Sequence, residues 1–314
     1  MTFPINRNRL PRTLACSVAV LGTLLISALP VAGIGRDYVT AQDTAPAAAS
    51  ELASLVYPEY RIVATDDGPR FPATVEAGRL LITVENRSAA RSDVTFIQLP
   101  AGITLADLDA AFASADGVTP EWFGDIVSTG GFNVDAGKTG HGVLDLTPGE
   151  WLIGVGDTNP FMPLTVTGDA AETTQEHADP PADITVQLDA HVIDLPERLP
   201  AGRQIWHGVN ASDDSHEVVL IRTPELLTPE QVIAAASLPE GTTPAPGEPD
   251  PATFEFVAAG LKTMSAGHEI WVELDLGPGY YVAICFSPDP ETGQPHALLG
   301  ELDIFIVPEP TTEA

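Results

Sequence analysis

Near its C-terminus the chain reads YYVAICFSPDPETGQPHALLGELDIFIV, Tyr280 to Val307. A β-rich run delivers Cys285, a turn-rich loop leads to His296, and a further apolar run begins after Glu301. Thiolate and imidazole together are donors for a soft or borderline metal ion. The same spacing also describes a plain hairpin that holds a buried structural thiol and a loop histidine. A third reading pairs Cys285 with His216 as nucleophile and base. Against it, the chain carries no G-x-S-x-G elbow, and HEVVL at His216 and HEIWV at His268 both lack the second histidine of a zinc-protease motif.

The cysteine count sharpens the question. Only Cys16 and Cys285 are present, and Cys16 falls within an N-terminal stretch with the layout of an export signal. Arg7, Arg9 and Arg12 precede the apolar core TLACSVAVLGTLLISALPVAGIG, and VTA ending at Ala41 is a small-residue cleavage site. Cleavage there predicts an exported, secreted protein; an uncleaved anchor is the alternative, weakened by Pro30 near the end of the core. Leu14-Ala15-Cys16 resembles a lipoprotein box but precedes the apolar core instead of ending it. The mature chain would then keep one cysteine and no internal disulfide, and an unpaired thiol in an oxidising compartment calls for burial or coordination. Formal charge is -30, with 44 Asp+Glu against 14 Lys+Arg. Such a surface argues against nucleic acid and against anionic membrane as partners.

The elements that must position these residues come in two copies. At a constant shift of 124, Pro72 matches Pro196, Ala77-Gly78-Arg79 matches Ala201-Gly202-Arg203, Asn86 matches Asn210 and Pro100 matches Pro224. At a shift of 130, Ala136-Gly137 matches Ala266-Gly267, and LDLTPGEWLIGV (Leu144–Val155) matches LDLGPGYYVAIC (Leu274–Cys285). The extra residues fall in SLPEGTTPAPGEPDP, a loop in which insertion is tolerated. Each copy reads as short Val/Ile/Tyr/Phe-rich runs bounded by Gly, Pro and Asn, the pattern of an antiparallel sandwich. One short helix interrupts each copy: TLADLDAAFAS from Thr104, and TPEQVIAAAS with Thr228 as N-cap, Pro229 in the first turn and Gln231 at the capping-box position. The expected organisation is a signal at 1–41, a flexible segment at 42–59, a domain at 60–166, an acidic linker at 167–183, a domain at 184–307 and a tail at 308–314.

The second copy resembles the cupredoxin (blue copper) family, in particular exported bacterial cupredoxin-like domains. The resemblance rests on PAGRQIWHGVNASDDSHEVVLI, LGPGYYVAIC, Pro295-His296 and LLGE before LDIFIV. It implies two tandem Greek-key β-sandwiches in an all-β chain, with the first copy degenerate. It also implies a ligand set. His216 matches the family's early histidine, Cys285 its thiolate and His296 its late histidine, a trigonal set for copper with a weak axial donor. Electron transfer to a redox partner protein, or copper handling, would follow.

Two departures from the family pattern stand out. Glu301 occupies the place of the axial methionine, and Met264 lies before the cysteine strand. A carboxylate there either coordinates, favouring Cu(II) and lowering the reduction potential, or turns outward and leaves three ligands. His216, Cys285, His296 and Glu301 would also make a tetrahedral zinc set. The second departure is the ten-residue loop between Cys285 and His296, whose Asp289 and Glu291 serve a partner contact or only solvation. The first copy is an internal control: His216 corresponds to Ser92 and Cys285 to Val155, so the ligands are lost while framework residues stay. A metal-free interaction scaffold is the competing expectation. His207 and His268, beside Trp206 and Trp271, are expected in packing or at the surface. Asn86 and Asn210 match glycosylation sequons, but their equivalence points to an Asn side chain bonding its local backbone.

Overall fold

The computed structural model describes residues 50–113, 120–156, 161–168, 178–238 and 242–310. The expected export signal and the middle of the acidic linker lie outside the described residues. In chain order the strands are β1 (Glu59–Ala64), β2 (Thr74–Glu76), β3 (Gly78–Asn86), β4 (Ser92–Gln98), β5 (Val127–Val134), β6 (Thr139–Leu146), β7 (Gly149–Val155) and β8 (Met162–Thr167). They continue as β9 (Ile184–Asp189), β10 (Val192–Ile193), β11 (Gly202–Asn210), β12 (His216–Thr223), β13 (Glu255–Met264), β14 (Glu269–Leu276), β15 (Gly279–Ile284) and β16 (Leu302–Val307). Helix α1 (Leu105–Ala113) follows β4, and α2 (Pro229–Ala236) follows β12.

Strand chemistry follows from alternation. In β1 the sequence EYRIVA buries Tyr60, Ile62 and Ala64 and turns the residues between them outward, the two-residue period of a sheet with one buried face. Both helices start on reciprocal caps. Thr228 accepts from the Gln231 N–H while Gln231 accepts from the Thr228 N–H at 2.8 Å, with Pro229 in the first turn. Thr104 and Asp107 make the same exchange at α1.

The two copies lay down the same pairings. Gly78 opposes Leu146 between β3 and β6, and Gly202 opposes Leu276 between β11 and β14. Ile97 opposes Leu152 between β4 and β7, and Ile221 opposes Val282 between β12 and β15. Trp151 donates its indole N–H to the Thr147 carbonyl at 2.8 Å, and Tyr281 donates its hydroxyl to the Gly277 carbonyl at 2.7 Å.

The all-β expectation holds, but the copies do not form separate sandwiches. Their strands share two sheets. One has the order β1-β3-β6-β14-β11-β9-β10, the other β16-β15-β12-β13-β5-β4-β7-β8-β2. The copies are thus stacked edge to edge along both sheets. In the first sheet β6 pairs antiparallel with β14, Gly142 opposite Val272. In the second β5 meets β13 at Thr129 and Met264. The Ser265 N–H donates to the Ser128 carbonyl at 2.8 Å beside this pair, and the Ser128 hydroxyl donates to the Thr263 carbonyl at 2.6 Å. Gly142 is required at the seam, because a Cβ there would lie 2.6 Å from the Phe132 ring. A single apolar core runs through both copies, from Tyr60, Phe96 and Trp151 to Trp206, Met264 and Phe305. Ahead of β1 one residue of the expected flexible segment reaches the core. Leu52 is fully buried against Leu81 and Val143 of one copy and Ile205 and Trp271 of the other.

Pairing is also not purely antiparallel as expected. β1 runs parallel to β3, β9 to β11 and β2 to β8. The reason is a change of sheet: between β1 and β3 the chain visits the opposite sheet as β2, which supplies the crossover that parallel neighbours need.

Asn86 and Asn210 act as internal staples, consistent with their reading as structural turns. Asn210 is buried, donates to the Asp214 and Met264 carbonyls at 2.7 and 2.8 Å, and accepts from the Ser212 N–H. Asn86 makes the same bonds with Ala90, Val134 and Ser88. Since Met264 pairs with His216, the Asn210 staple fixes the start of β12. Asn210→Ala leaves buried carbonyls without donors. It is expected to cost about 3 kcal/mol, read as a lower midpoint in urea unfolding; an unchanged midpoint would refute the staple.

Candidate metal centre

The four residues singled out from the sequence converge. His216 opens β12, Cys285 follows the last residue of β15, His296 opens a 3-10 turn ending at Leu299, and Glu301 precedes β16. All four are fully buried. Backbone bonds hold them together as one unit. The Cys285 N–H donates to the Glu301 carbonyl at 3.2 Å, the Glu301 N–H to the His296 carbonyl at 3.0 Å, and the Ala297 N–H to the Cys285 carbonyl at 2.8 Å. Gly300 adopts the left-handed conformation (φ 104°) that ends the turn and directs the chain into β16. Outside the sheet, α2 packs Val232 with Ile221, Ile284 and Ala297, which braces the histidine turn.

The ten-residue loop is itself a small hairpin. Pro288 bridges Pro295, the Asp289 N–H donates to the Gln294 carbonyl at 2.8 Å, and the Asp289 carboxylate accepts from the Thr292 N–H at 2.7 Å. The hairpin and the donor cluster are therefore compatible: the hairpin delivers His296 back to Cys285.

Both imidazoles turn Nδ1 inward. Cys285 Sγ lies 4.0 Å from His216 Nδ1 and 3.6 Å from His296 Nδ1, and the two nitrogens are 3.2 Å apart. A triangle with these sides has a point about 2.1 Å from every corner, the length of a metal–imidazole bond and within about 0.2 Å of a metal–thiolate bond. The donor set thus fits one transition-metal ion without rearrangement. Glu301 is turned inward, not to solvent. Its oxygens lie 2.8 and 2.9 Å from His216 Nδ1, and one is 2.9 Å from His296 Nδ1. Met264 is buried in the core, against the positions of Gly130 and Gly208.

Electrostatics around the cluster are uneven. Burial pushes the Cys285 thiol well up, and the nearby carboxylates of Glu301 and Glu217 add to the effect. Without a cation the thiol stays protonated; coordination would take that proton. Burial also opposes ionisation of Glu301, but hydrogen bonds from His216 and His296 prevail and hold its carboxyl below the usual range.

Glu217 was not singled out from sequence, although it is the residue next to His216. It is buried beside Cys285, with its carboxyl close to Lys262 and the Phe286 backbone. His191 is the other residue missed; it sits in the β9–β10 turn with no surrounding motif, and its ring meets His296 edge-on at 4.9 Å. His207 and His268 are elsewhere in function: His207 stacks on Trp271 at 4.0 Å and contacts Glu269, and neither belongs to a metal-competent group among the described residues. In the first copy the corresponding positions hold Ser92 and Val155, both buried, with Val155 part of the apolar core.

No protein-family model matches the sequence, and no curated protein matches it. Solved structures do. Auracyanin from Roseiflexus castenholzii is 17% identical, covering 40% of this chain and 96% of its own, with a TM-score of 0.27. A multi-copper oxidase from Pediococcus acidilactici is 10% identical over 83% of this chain and 62% of its own, TM-score 0.23. A Cu-containing nitrite reductase from Thermus scotoductus is 12% identical over 79% and 60%, TM-score 0.21. The case for a metal in this chain stands on its donor geometry.

Glu217 also yields a pH signature. Burial pushes its carboxyl up from 4.5 to about 7, against the Lys262 charge and its own hydrogen bonds. Between those values the native state keeps a proton that the unfolded chain has released. Stability contributed by that proton is complete below pH 4.5 and is lost as pH rises towards 7, a fall on the order of 3 kcal/mol. Glu217→Gln is expected to flatten this slope, measured by urea unfolding of the metal-free protein at pH 5 and pH 8. An identical slope in the variant would show that Glu217 titrates normally.

Proposed function

We propose that this is an exported cupredoxin-like protein, built from a duplicated Greek-key unit, whose second copy holds one copper ion for electron transfer or copper handling. The observation that carries the reading is the point equidistant from His216 Nδ1, Cys285 Sγ and His296 Nδ1 at bonding length. A thiolate with two imidazoles is a copper-selecting set, and Glu301 supplies a fourth donor in place of a thioether. Copper bound there would supply one-electron chemistry.

The chain's own residues supply the frame. Backbone bonds among Cys285, His296 and Glu301 fix three donors relative to one another. Full burial excludes water from all four side chains. Such a frame holds the same donor geometry for either oxidation state, which keeps the rearrangement accompanying electron transfer small. The inward carboxylate favours the more highly charged ion, so the site is tuned to a low potential. The same inward Glu301 completes a tetrahedral N, N, S, O set, and for that reason zinc is the second reading.

One titration separates the readings. Adding Cu(II) to metal-free, thiol-reduced protein is expected to give an intense visible thiolate-to-copper band at one equivalent, abolished in Cys285→Ser. Zinc uptake without a coloured copper complex would assign the zinc role. Uptake of neither ion would leave a metal-free interaction scaffold. With copper bound, Glu301→Gln is expected to raise the reduction potential in a spectroscopic redox titration; an unchanged potential would remove Glu301 from the ligand set.

A further inference from the structure

A second group of donors lies on the outer side of His296. His191, Asp289 and His296 each offer a ligand atom, all within 4.8 Å of one another. Asp289 commits Oδ1 to the Thr292 N–H and hydroxyl, at 2.7 and 2.6 Å, and presents Oδ2 to His191 Nε2 at 3.5 Å. His191 Nε2 is buried without a hydrogen-bond partner, and so is His296 Nε2, the ring nitrogen that the inner donors leave over. Buried ring nitrogens without partners are costly. Two of them, with a carboxylate oxygen 3.5 Å from one ring, make a place that suits a cation.

The backbone points the same way. His191 has φ 57°, the one non-glycine with positive φ among the described residues. Side-chain-bearing residues hold that conformation when the surroundings impose it, and such positions gather at functional sites. Here it turns the imidazole edge-on to His296. The chemistry differs from the inner set. Two imidazoles and one carboxylate, with no thiolate, suit a borderline divalent ion such as Zn(II) or Cu(II) and leave a coordination position open. Exposure differs as well: the His191 side chain is 34% exposed, whereas the inner four are sealed.

We propose that His191, Asp289 and His296 Nε2 form a second metal site, reached from solvent through the partly exposed His191, that shares His296 with the inner one. His296 then stands between the two sites, Nδ1 facing the sealed donors and Nε2 facing the outer ones; with both ions bound it bridges them as an imidazolate, its remaining ring proton released to solvent. An ion arriving from solvent meets the outer donors first, which makes them a loading station at the mouth of the buried site. The outer donors do not require the inner set to be occupied.

The test is a Zn(II) titration of metal-free, thiol-reduced full chain in competition with a chromophoric chelator. Wild type is expected to take two equivalents. His191→Ala and Asp289→Asn are expected to take one, and Cys285→Ser is expected to keep the equivalent that those variants lose. Equal stoichiometry in wild type, His191→Ala and Asp289→Asn would overturn the outer site while leaving the inner reading intact. A single equivalent lost in His191→Ala but kept in Cys285→Ser would uphold the outer site and sink the inner one. No uptake at all would sink both.

Discussion

Everything at the candidate centre depends on one backbone bond, the Cys285 N–H to the Glu301 carbonyl. It continues the β15–β16 ladder one step past its last regular pair, Ile284 with Leu302. The ten-residue loop and the histidine turn are thereby closed off at their base, so the thiol, the second imidazole and the carboxylate move as one body. The ladder beneath is anchored by Tyr281 stacked on Phe305 at 5.2 Å. Burying such aromatic side chains contributes roughly 1.5–3 kcal/mol each. The opposing expense is a thiol, two imidazoles and a carboxylate withdrawn from water. Mutual hydrogen bonding between Glu301 and the histidines offsets part of it, and a cation would offset more.

The amino-acid pattern made a good share of this legible, and the reason is local. Thr228-Pro229 with Gln231 announces a helix start because the cap satisfies orphan N–H groups within four residues. Asn86 and Asn210 reveal their turns because the side chain bonds backbone two to four residues away. The three candidate ligands were legible through their place in a framework that recurs upstream with Ser92 and Val155 instead. What could not be read is what forms between distant segments. Nothing in the spacing of β5, β6, β13 or β14 says which strand lies beside which, so the shared sheets emerged only in three dimensions. Glu301 could have faced either way; the Gly300 turn and the two Nδ1 atoms turn it inward. His191 carries no motif, and its contact with His296 comes from a hairpin more than 100 residues upstream.

The comparison between copies separates frame from chemistry. The first copy keeps the Asn staple, the aromatic tether to the carbonyl four residues back and the strand register, yet places Val155 in the core where the second places Cys285. A buried aliphatic side chain suits that position without a partner; a buried thiol beside two carboxylates does not rest as easily. The frame is therefore indifferent to metal, and the donor set is an addition to it. The first copy thus serves as an internal reference for the frame.

The seam between the copies has a consequence for how the protein can be divided. Strands β5, β6, β13 and β14 are interior only because each copy covers the other's sheet borders. Cut apart, each half would bare a row of backbone groups along an edge of both sheets, β14 with EIWVELDL in the second copy. Bare rows of that kind invite self-association. The half with the donor cluster is thus not a detachable unit. The first copy keeps the sheet borders of the second covered.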